Sequence, residues 1–432
     1  VAERFAPARP LHGTLRPPPD KSISHRAALL AAMGEGRTRI VNYLEAADTH
    51  STLAAVQTLG AKVAGTSGFR PGVELEIEGV GLRGARPAAQ IDVGNAGTLL
   101  RLLPGWLAGQ EAGTWVLDGD ESIRRRPVDR IAAPLTRMGA RVSHRDGGLP
   151  PLTVEGAPLQ GVDHVLPVAS AQVKSCLLLA GLLAKGVTRV SEPAPTRDHT
   201  ERMLAAAGAA VTREPGAVAV RPAERLEPGT IVVPGDLSSA AFLIAAALIV
   251  PGSRVALEGV GVNPTRTGFL HIARRMGAAI EVEAEDTGSG EPAAIVRALH
   301  SELRGATVGA DEVALAIDEL PLVALLGCFA EGETVITGAE ELRRKESDRI
   351  ATVAAALTAL GGAVEAHPDG LVVHGGRGLR GGVVEAGGDH RIAMLGAVAG
   401  LASREGAQVE GFGAAAVSYP GFERDLAALA GG

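Results

Sequence analysis

Along this chain, long Ala/Leu-rich runs of helical character are each followed by a glycine and then by a short β-branched stretch. Six segments repeat that order: "KSISHRAALLAAMGEGRTRIVN", "NAGTLLRLLPGWLAGQEAGTWVLDG", "SAQVKSCLLLAGLLAKGVTRVSE", "DLSSAAFLIAAALIVPGSRVALEG", "DELPLVALLGCFAEGETVITG" and "DHRIAMLGAVAGLASREGAQVEGF". The glycines before the strands are Gly36, Gly113, Gly186, Gly252, Gly332 and Gly406, spaced 77, 73, 66, 80 and 74 residues apart. A second helix follows in most copies and ends alike, in "LGAKV" (59–63), "MGARV" (138–142), "AGAAV" (207–211), "MGAAI" (276–280) and "LGGAV" (360–364). Glycine just past a helix is the usual left-handed terminator, and the residues after it read as a strand. Each copy therefore predicts strand, helix, strand, helix and one or two further strands. Six such α/β copies suit two pseudo-symmetric domains of three copies each, dividing near "TIVVPGDLSS". A solenoid is the rival arrangement, but its repeats run to about 20–45 residues and these are far longer.

Composition narrows the class. A chain of 432 residues with 46% hydrophobic residues supplies more than one core. Aromatics at 3% beside 57 glycines suit small-residue helices packed on sheets and disfavour base-stacking modules. A net charge of −7 and a pI near 5.9 argue against a surface that coats nucleic acid. Cys176 and Cys328 are too few for a disulfide framework or a structural zinc site. Both lie in apolar helical runs and are expected as buried thiols in a reducing compartment. The longest apolar stretch, "AAFLIAAALIVPG" (240–252), is too short to span a bilayer. With no signal or transit segment in view, a cytoplasmic protein without membrane contact is expected.

Chemistry gathers at the helix starts. The six lead helices open on Lys21-Ser22-Ser24-Arg26, Asn95-Ala96-Gly97-Thr98, Ser170-Ala171-Gln172, Asp236-Leu237-Ser238-Ser239, Asp318-Glu319 and Asp389-His390-Arg391. A helix N-terminus offers free N–H donors and the positive end of its dipole to an anion. Gly97 leaves room for a ligand against the backbone. Ordinary capping accounts for Asp236 to Ser239, but not for Lys21, Arg26 or Arg391, where a cation opposes the dipole. Arg124, Arg125 and Arg126 precede Pro127, which is expected to start a helix, and "TRDHTERML" adds Arg197. In "LRRKESDRIATV", Lys345 and Arg349 are expected as i,i+4 neighbours on one helical face with Glu346 alongside. If the repeats set equivalent helices in parallel, both domains aim these ends at a cleft, and the substrates carry several phosphates or carboxylates.

Other chemistries are excluded by what is missing. There is no P-loop, no G-x-S-x-G elbow and no H-E-x-x-H pair, and the eleven histidines show no ligand spacing, so no metal is implied. "GVGLRG" (79–84) matches a dinucleotide fingerprint in letters only, because Pro87 and no helix follow it.

"DKSISHR", "GNAGTLLR", "RRRPVDR", "SAQVKS", "RKESDR" and "DHRIAM", in that order from about residue 10 to 425, resemble the 5-enolpyruvylshikimate-3-phosphate synthases, nearer their class II variants. The resemblance implies an enolpyruvyl transferase fold, an inside-out α/β barrel with two domains of three βαβαββ repeats each. The expected domains are residues 19–233, on the shikimate 3-phosphate side, and residues 1–18 with 234–432, on the side of the phosphoenolpyruvate (PEP) carboxylate. It implies transfer of the enolpyruvyl group of PEP to the 5-hydroxyl of shikimate 3-phosphate through a tetrahedral intermediate, with no cofactor. Carried over residue by residue, Lys21, Asp318 and Glu346 are catalytic. Asp318 takes the hydroxyl proton and Glu346 exchanges a proton with the PEP methylene. Lys21, Ser22, Arg26, Ser170, Ala171, Gln172, Arg197, Asp318 and Lys345 hold shikimate 3-phosphate. Lys21, Asn95, Gly97, Arg126, Gln172, Arg349 and Arg391 hold PEP, the last two arginines by a bidentate clamp on its carboxylate. A monomer that closes on its two anionic substrates is expected.

The chain departs from the family pattern at Ala171, where many members carry a second serine, and at Val417, where many carry a lysine. Two rivals remain. A UDP-N-acetylglucosamine enolpyruvyl transferase typically opens with Lys-Asn and carries a loop cysteine, whereas here Ser22 follows Lys21 and "GQEAGTWVLDGDESIRRR" has no Cys. A non-catalytic polyanion-binding protein would gain nothing from Asp318 and Glu346 among its cations.

Overall fold

The computed structural model describes residues 2–66, 72–285 and 290–431. Its contacts divide the chain into two compact units. The N-terminal unit is Pro19–Val233 together with Thr287–Glu291; the C-terminal unit is Val1–Pro18, Pro234–Asp286 and Pro292–Gly432. Each has its own hydrophobic core.

In the N-terminal unit the helices are α1 (Lys21–Met33), α2 (Ala47–Thr58), α3 (Gly97–Ala108), α4 (Asp129–Arg137), α5 (Ala171–Gly181) and α6 (His199–Ala206). The C-terminal unit carries α7 (Leu237–Ile249), α8 (Gly268–Arg275), α9 (Ala310–Ala316), α10 (Leu320–Phe329), α11 (Arg349–Ala359), α12 (His390–Ala402) and α13 (Phe422–Ala430). The lead helices α1, α3, α5, α7, α10 and α12 are buried almost all round, and every residue of α7 is buried. That explains their sequences: a helix apolar on all sides belongs inside a core. Helices α7, α10 and α12 pack on one another, as α3 does on α1 and α5, while the strands form separate small sheets around them. Small residues allow this packing. A Cβ on Gly105 would lie 2.1 Å from the Cys176 carbonyl oxygen, so α3 and α5 approach closely only because Gly105 has no side chain.

Each repeat builds one sheet. In the second copy, Ala88–Asp92 pairs parallel with Thr114–Asp118, which pairs antiparallel with Leu149–Glu155, and that with Arg141–Arg145. The same strand order recurs in four other four-stranded sheets. All six glycines before the lead strands have positive φ, between 75° and 125°, and so do the five that end second helices, between 90° and 107°. Two copies borrow their first strand from far along the chain. Thr230–Val232 pairs with Arg37–Tyr43, and His12–Leu15 pairs with Arg254–Gly261. The sixth sheet has three strands, with Glu3–Phe5 antiparallel to Ala407–Glu410.

Both cysteines are free and buried, and burial pushes the Cys328 thiol up to about 12. His25 is fully buried in α1 with Nδ1 2.6 Å from Thr52 Oγ1. Burial, then Lys21 and Arg26, push its pKa from 6.5 down to about 3. The folded value lies below the unfolded one, so between these values the unfolded chain binds the extra proton. The His25 contribution is therefore complete above pH 6.5 and is lost as pH falls below it, by about 1.4 kcal/mol per unit. His25→Gln should flatten the acid limb of stability between pH 6 and 4 by that amount in urea titrations. A slope equal to wild type would contradict this burial of a neutral imidazole.

Candidate active site

The sequence-predicted residues fall into two sets, one in each unit. In the N-terminal unit, Pro17 to Pro19 keep the chain extended and Asp20 caps α1, accepting from the Ile23 N–H at 2.8 Å. The first turn then carries Lys21, whose Nζ lies 3.1 Å from Asp48 Oδ2, and Ser22. One turn on, Arg26 is buried. It donates from Nε to Thr200 Oγ1 (2.7 Å), from Nη2 to Ser175 Oγ (3.1 Å) and from Nη1 to the Ser22 carbonyl (2.9 Å). Burial lowers its pKa to about 10, with Arg197 acting in the same direction and Glu201, Asp20 and Glu291 opposing, so it remains charged at neutral pH. Arg26 thus ties α1 to α5 and α6.

At the start of α3, Arg126 donates from Nη2 to Asn95 Oδ1 (3.3 Å) and Ser122 Oγ (3.2 Å). A Cβ on Gly97 would lie 2.7 Å from Arg126 Nη1 and 3.2 Å from Arg101 Nη1. Glycine is what lets both guanidinium groups lie against this helix start. Arg101 Nη1 reaches Gln172 Oε1 at 3.2 Å, and Gln172 Nε2 reaches Thr98 Oγ1 at 3.3 Å, fastening α5 to α3. Sequence reasoning missed Arg101 and Ser122. Arg101 stood inside a quoted motif one turn after Gly97, and Ser122 stood four residues before Arg126. Arg124 and Arg125 belong to the surface, paired with Asp118 and Glu121. Pro127 does not start a helix; a 3-10 turn (Ile123–Arg125) precedes it and α4 begins at Asp129. Ser170 caps α5, accepting from the Val173 N–H at 3.4 Å, and Ala171, its first helical residue, presents no polar side chain. Arg197 is half-buried in the loop before α6.

In the C-terminal unit the charges converge on Asp318. Its Oδ1 lies 3.5 Å from Lys345 Nζ and 3.4 Å from Arg349 Nη1, and its Oδ2 lies 3.8 Å from Arg391 Nη2. Arg391 Nη1 also donates to the Asp318 carbonyl at 2.9 Å. Lys345 and Arg349 do not share a helical face as expected. Glu340–Arg344 is a 3-10 turn, Lys345 is extended, and Asp348 caps α11, whose first residue is Arg349. The cap costs the intervening residues their helix, and Asp318 brings the two cations together instead.

Arg349 is only 1% exposed and is held from three sides. Its Nε and Nη2 donate to Asp389 at 2.9 and 3.2 Å, and Nη2 also donates to Glu346 Oε2 at 2.6 Å. Burial disfavours its charge, but Glu346, Asp389 and Asp318 outweigh that and raise its pKa. Burial would likewise raise Asp389, yet Arg349 holds it below the usual carboxylate range. One guanidinium therefore positions both Asp318 and Glu346, and Glu346 keeps 32% of its side chain open. A bidentate grip by Arg349 on a substrate carboxylate requires it to release one of them.

The helix start at Asp236 does more than cap. Asp236 accepts from the Ser238 N–H at 2.8 Å and from Arg266 Nη2 at 3.0 Å, and Ser238 Oγ donates to Glu319. Among the described residues no group of three or more His, Cys, Asp or Glu could hold a metal ion, and no helix is long and apolar enough to cross a membrane.

Repeated βαβαββ sheets around buried helices, with cations and carboxylates at the helix starts, define an enolpyruvyl-transferase fold. In fold alone the chain matches the enolpyruvyl transferase NikO from Streptomyces tendae, at TM-score 0.80 and 20% identity over 99% of this chain and 97% of that one. The chain belongs to the EPSP synthase family, whose model (3-phosphoshikimate 1-carboxyvinyltransferase) matches residues 5–426. It is 50% identical over 429 residues to a 3-phosphoshikimate 1-carboxyvinyltransferase of Thermus thermophilus, covering 99% of each chain. The enzyme of that name from Alkalilimnicola ehrlichii is also 50% identical, over 96% of this chain and 93% of its own. EPSP synthase from Acinetobacter baumannii superposes with TM-score 0.89 at 41% identity, over 100% of this chain and 98% of that one.

Proposed function

We infer that this chain transfers the enolpyruvyl group of PEP to the 5-hydroxyl of shikimate 3-phosphate, giving 5-enolpyruvylshikimate 3-phosphate and phosphate. Its family membership supports the reaction. The observation that carries the chemistry is one buried guanidinium, Arg349, holding Asp318 and Glu346 beside Lys345 and Arg391.

The reaction must move protons at two atoms. The 5-oxygen attacks C2 of PEP and its proton passes to Asp318, while Glu346 delivers a proton to the C3 methylene. The double bond becomes a C–O and a C–H bond in a tetrahedral adduct. In the second half Glu346 removes a proton from C3, the C2–phosphate bond breaks and the vinyl group returns. The proton held by Asp318 passes to the leaving phosphate, which departs as hydrogen phosphate with Lys21 and Arg126 next to it and returns Asp318 to its starting form. Positioned carboxylates suit both steps, and the surrounding cations stabilise the charge that develops. Lys21, Ser22, Arg26, Ser170, Gln172, Arg197 and Lys345 hold shikimate 3-phosphate, with the Ala171 backbone at the helix start. Asn95, Gly97, Arg126, Gln172, Arg349 and Arg391 hold PEP. The two compact units are read as the two domains, and the enzyme as a cytoplasmic monomer. An analogue of shikimate 3-phosphate lacking the 5-oxygen should bind but release no phosphate from PEP; phosphate release with it would remove the 5-hydroxyl from the reaction.

A further inference from the structure

Behind the N-terminal set of groups lies a buried ion cluster that neither catalysis nor binding has used. Lys174 of α5 is 3% exposed, and its Nζ lies 2.9 Å from Glu192 Oε1 and 2.8 Å from Glu201 Oε1. Glu192 follows the strand Thr188–Ser191, and Glu201 stands in the first turn of α6. Between them runs "PAPTRDHT", which carries Arg197. The middle of that loop is drawn to the same ammonium. Glu192 accepts from the Thr196 N–H (3.2 Å) and hydroxyl (2.5 Å), and the Thr196 carbonyl lies 3.5 Å from Lys174 Nζ. The start, middle and end of the loop thus converge on one charge, and Arg197 is the residue after Thr196.

The next residue of α5 extends the link. Ser175 Oγ lies 2.7 Å from Thr200 Oγ1, and both side chains accept from Arg26. The Lys174 N–H donates to the carbonyl of Ser170, the cap of the same helix. A single turn of α5 therefore connects Ser170, Arg26 and the Arg197 loop. Lys174, Arg26 and Glu201 are buried, and the Glu192 side chain is 10% exposed. Without Lys174 the carboxylates of Glu192 and Glu201 would face each other in a site with little water, and like charges there repel.

We propose that Lys174 is a positioning residue that sets Arg197 against Ser170 and Arg26, and so tunes affinity for the phosphate of shikimate 3-phosphate. The inference rests on Arg197, Arg26 and Ser170 holding that phosphate, as proposed above. Lys174→Met should raise KM and Kd for shikimate 3-phosphate by about tenfold while KM for PEP stays within about twofold. Lys174→Arg, which keeps the charge, should restore most of the affinity. Binding to the full chain is read by calorimetry beside Arg197→Ala. In the Arg197→Ala background Lys174→Met should add less than about threefold, since it acts through a residue already gone. If Lys174→Met does not fold, Glu192→Gln weakens the same clamp and should show the same selectivity at about threefold. Arg197→Ala raising Kd with Lys174→Met and Glu192→Gln leaving it unchanged would overturn the positioning role alone. Arg197→Ala leaving Kd unchanged would overturn the reading of Arg197 on which it rests. Equal losses for both substrates, or full additivity in the double variant, would reduce Lys174 to a general structural residue.

Discussion

Glu346→Gln is expected to lower kcat by about three orders of magnitude, the middle of the range for removing a general acid–base group, while shikimate 3-phosphate binds within about twofold of wild type. Glutamine keeps the shape and an acceptor for Arg349 Nη2, which holds this side chain at 2.6 Å. The site geometry should therefore persist. What glutamine lacks is a proton to exchange at C3 of PEP, in either the addition or the elimination. Steady-state turnover and calorimetric binding separate the two effects. Turnover within tenfold of wild type would remove Glu346 from the proton chemistry, whereas lost binding would make it a ligand.

Arg349→Met should abolish turnover and also destabilise the chain by about 3–5 kcal/mol, the cost of leaving buried charges without their partner. Arg349 is 1% exposed and Asp389 is fully buried, with Ser347 as a further donor to Asp389 at 2.8 Å. Methionine fills much of the volume but leaves the carboxylates of Asp389, Asp318 and Glu346 without the guanidinium. Arg349→Lys should rescue little, because one ammonium cannot fork between Asp389, Glu346 and Asp318. The pH dependence carries a sign. Asp389 is depressed in the folded chain, so the stability of its pair is present above the ordinary aspartate value of 3.8 and is lost as pH falls through the folded value. The gap between variant and wild type should thus narrow in acid. Calorimetric unfolding at pH 7 and at pH 3, below the ordinary aspartate value, measures it; a gap that widens in acid would contradict the pairing.

Much of this was legible from local pattern. The glycines Gly36 to Gly406 mark one turn repeated six times, and each needs a left-handed backbone that the sequence letter itself reveals. The buried lead helices were legible because Ala and Leu fill all their faces. Non-local pairing was not. Nothing in "TIVV" says that Thr230–Val232 joins a strand that starts at Arg37, nor that Glu3–Phe5 closes the sixth sheet. In the site, cations at helix starts stood out because they oppose the dipole. Lys345 and Arg349 were placed on one helix because the spacing allows it, but Asp348 prefers to cap. The roles of Arg101, Asp389 and Lys174 were missed for a common reason. Each acts on a partner distant in sequence: Gln172, Arg349 and the Glu192–Glu201 pair.

This chain couples PEP and shikimate 3-phosphate in one reaction. Phosphate release from PEP, followed continuously with and without shikimate 3-phosphate, tests it most directly. Release is expected only when both are present, one phosphate for each enolpyruvyl ether formed, and none from PEP alone or with UDP-N-acetylglucosamine. Release from PEP alone, or release unchanged by shikimate 3-phosphate, would contradict it.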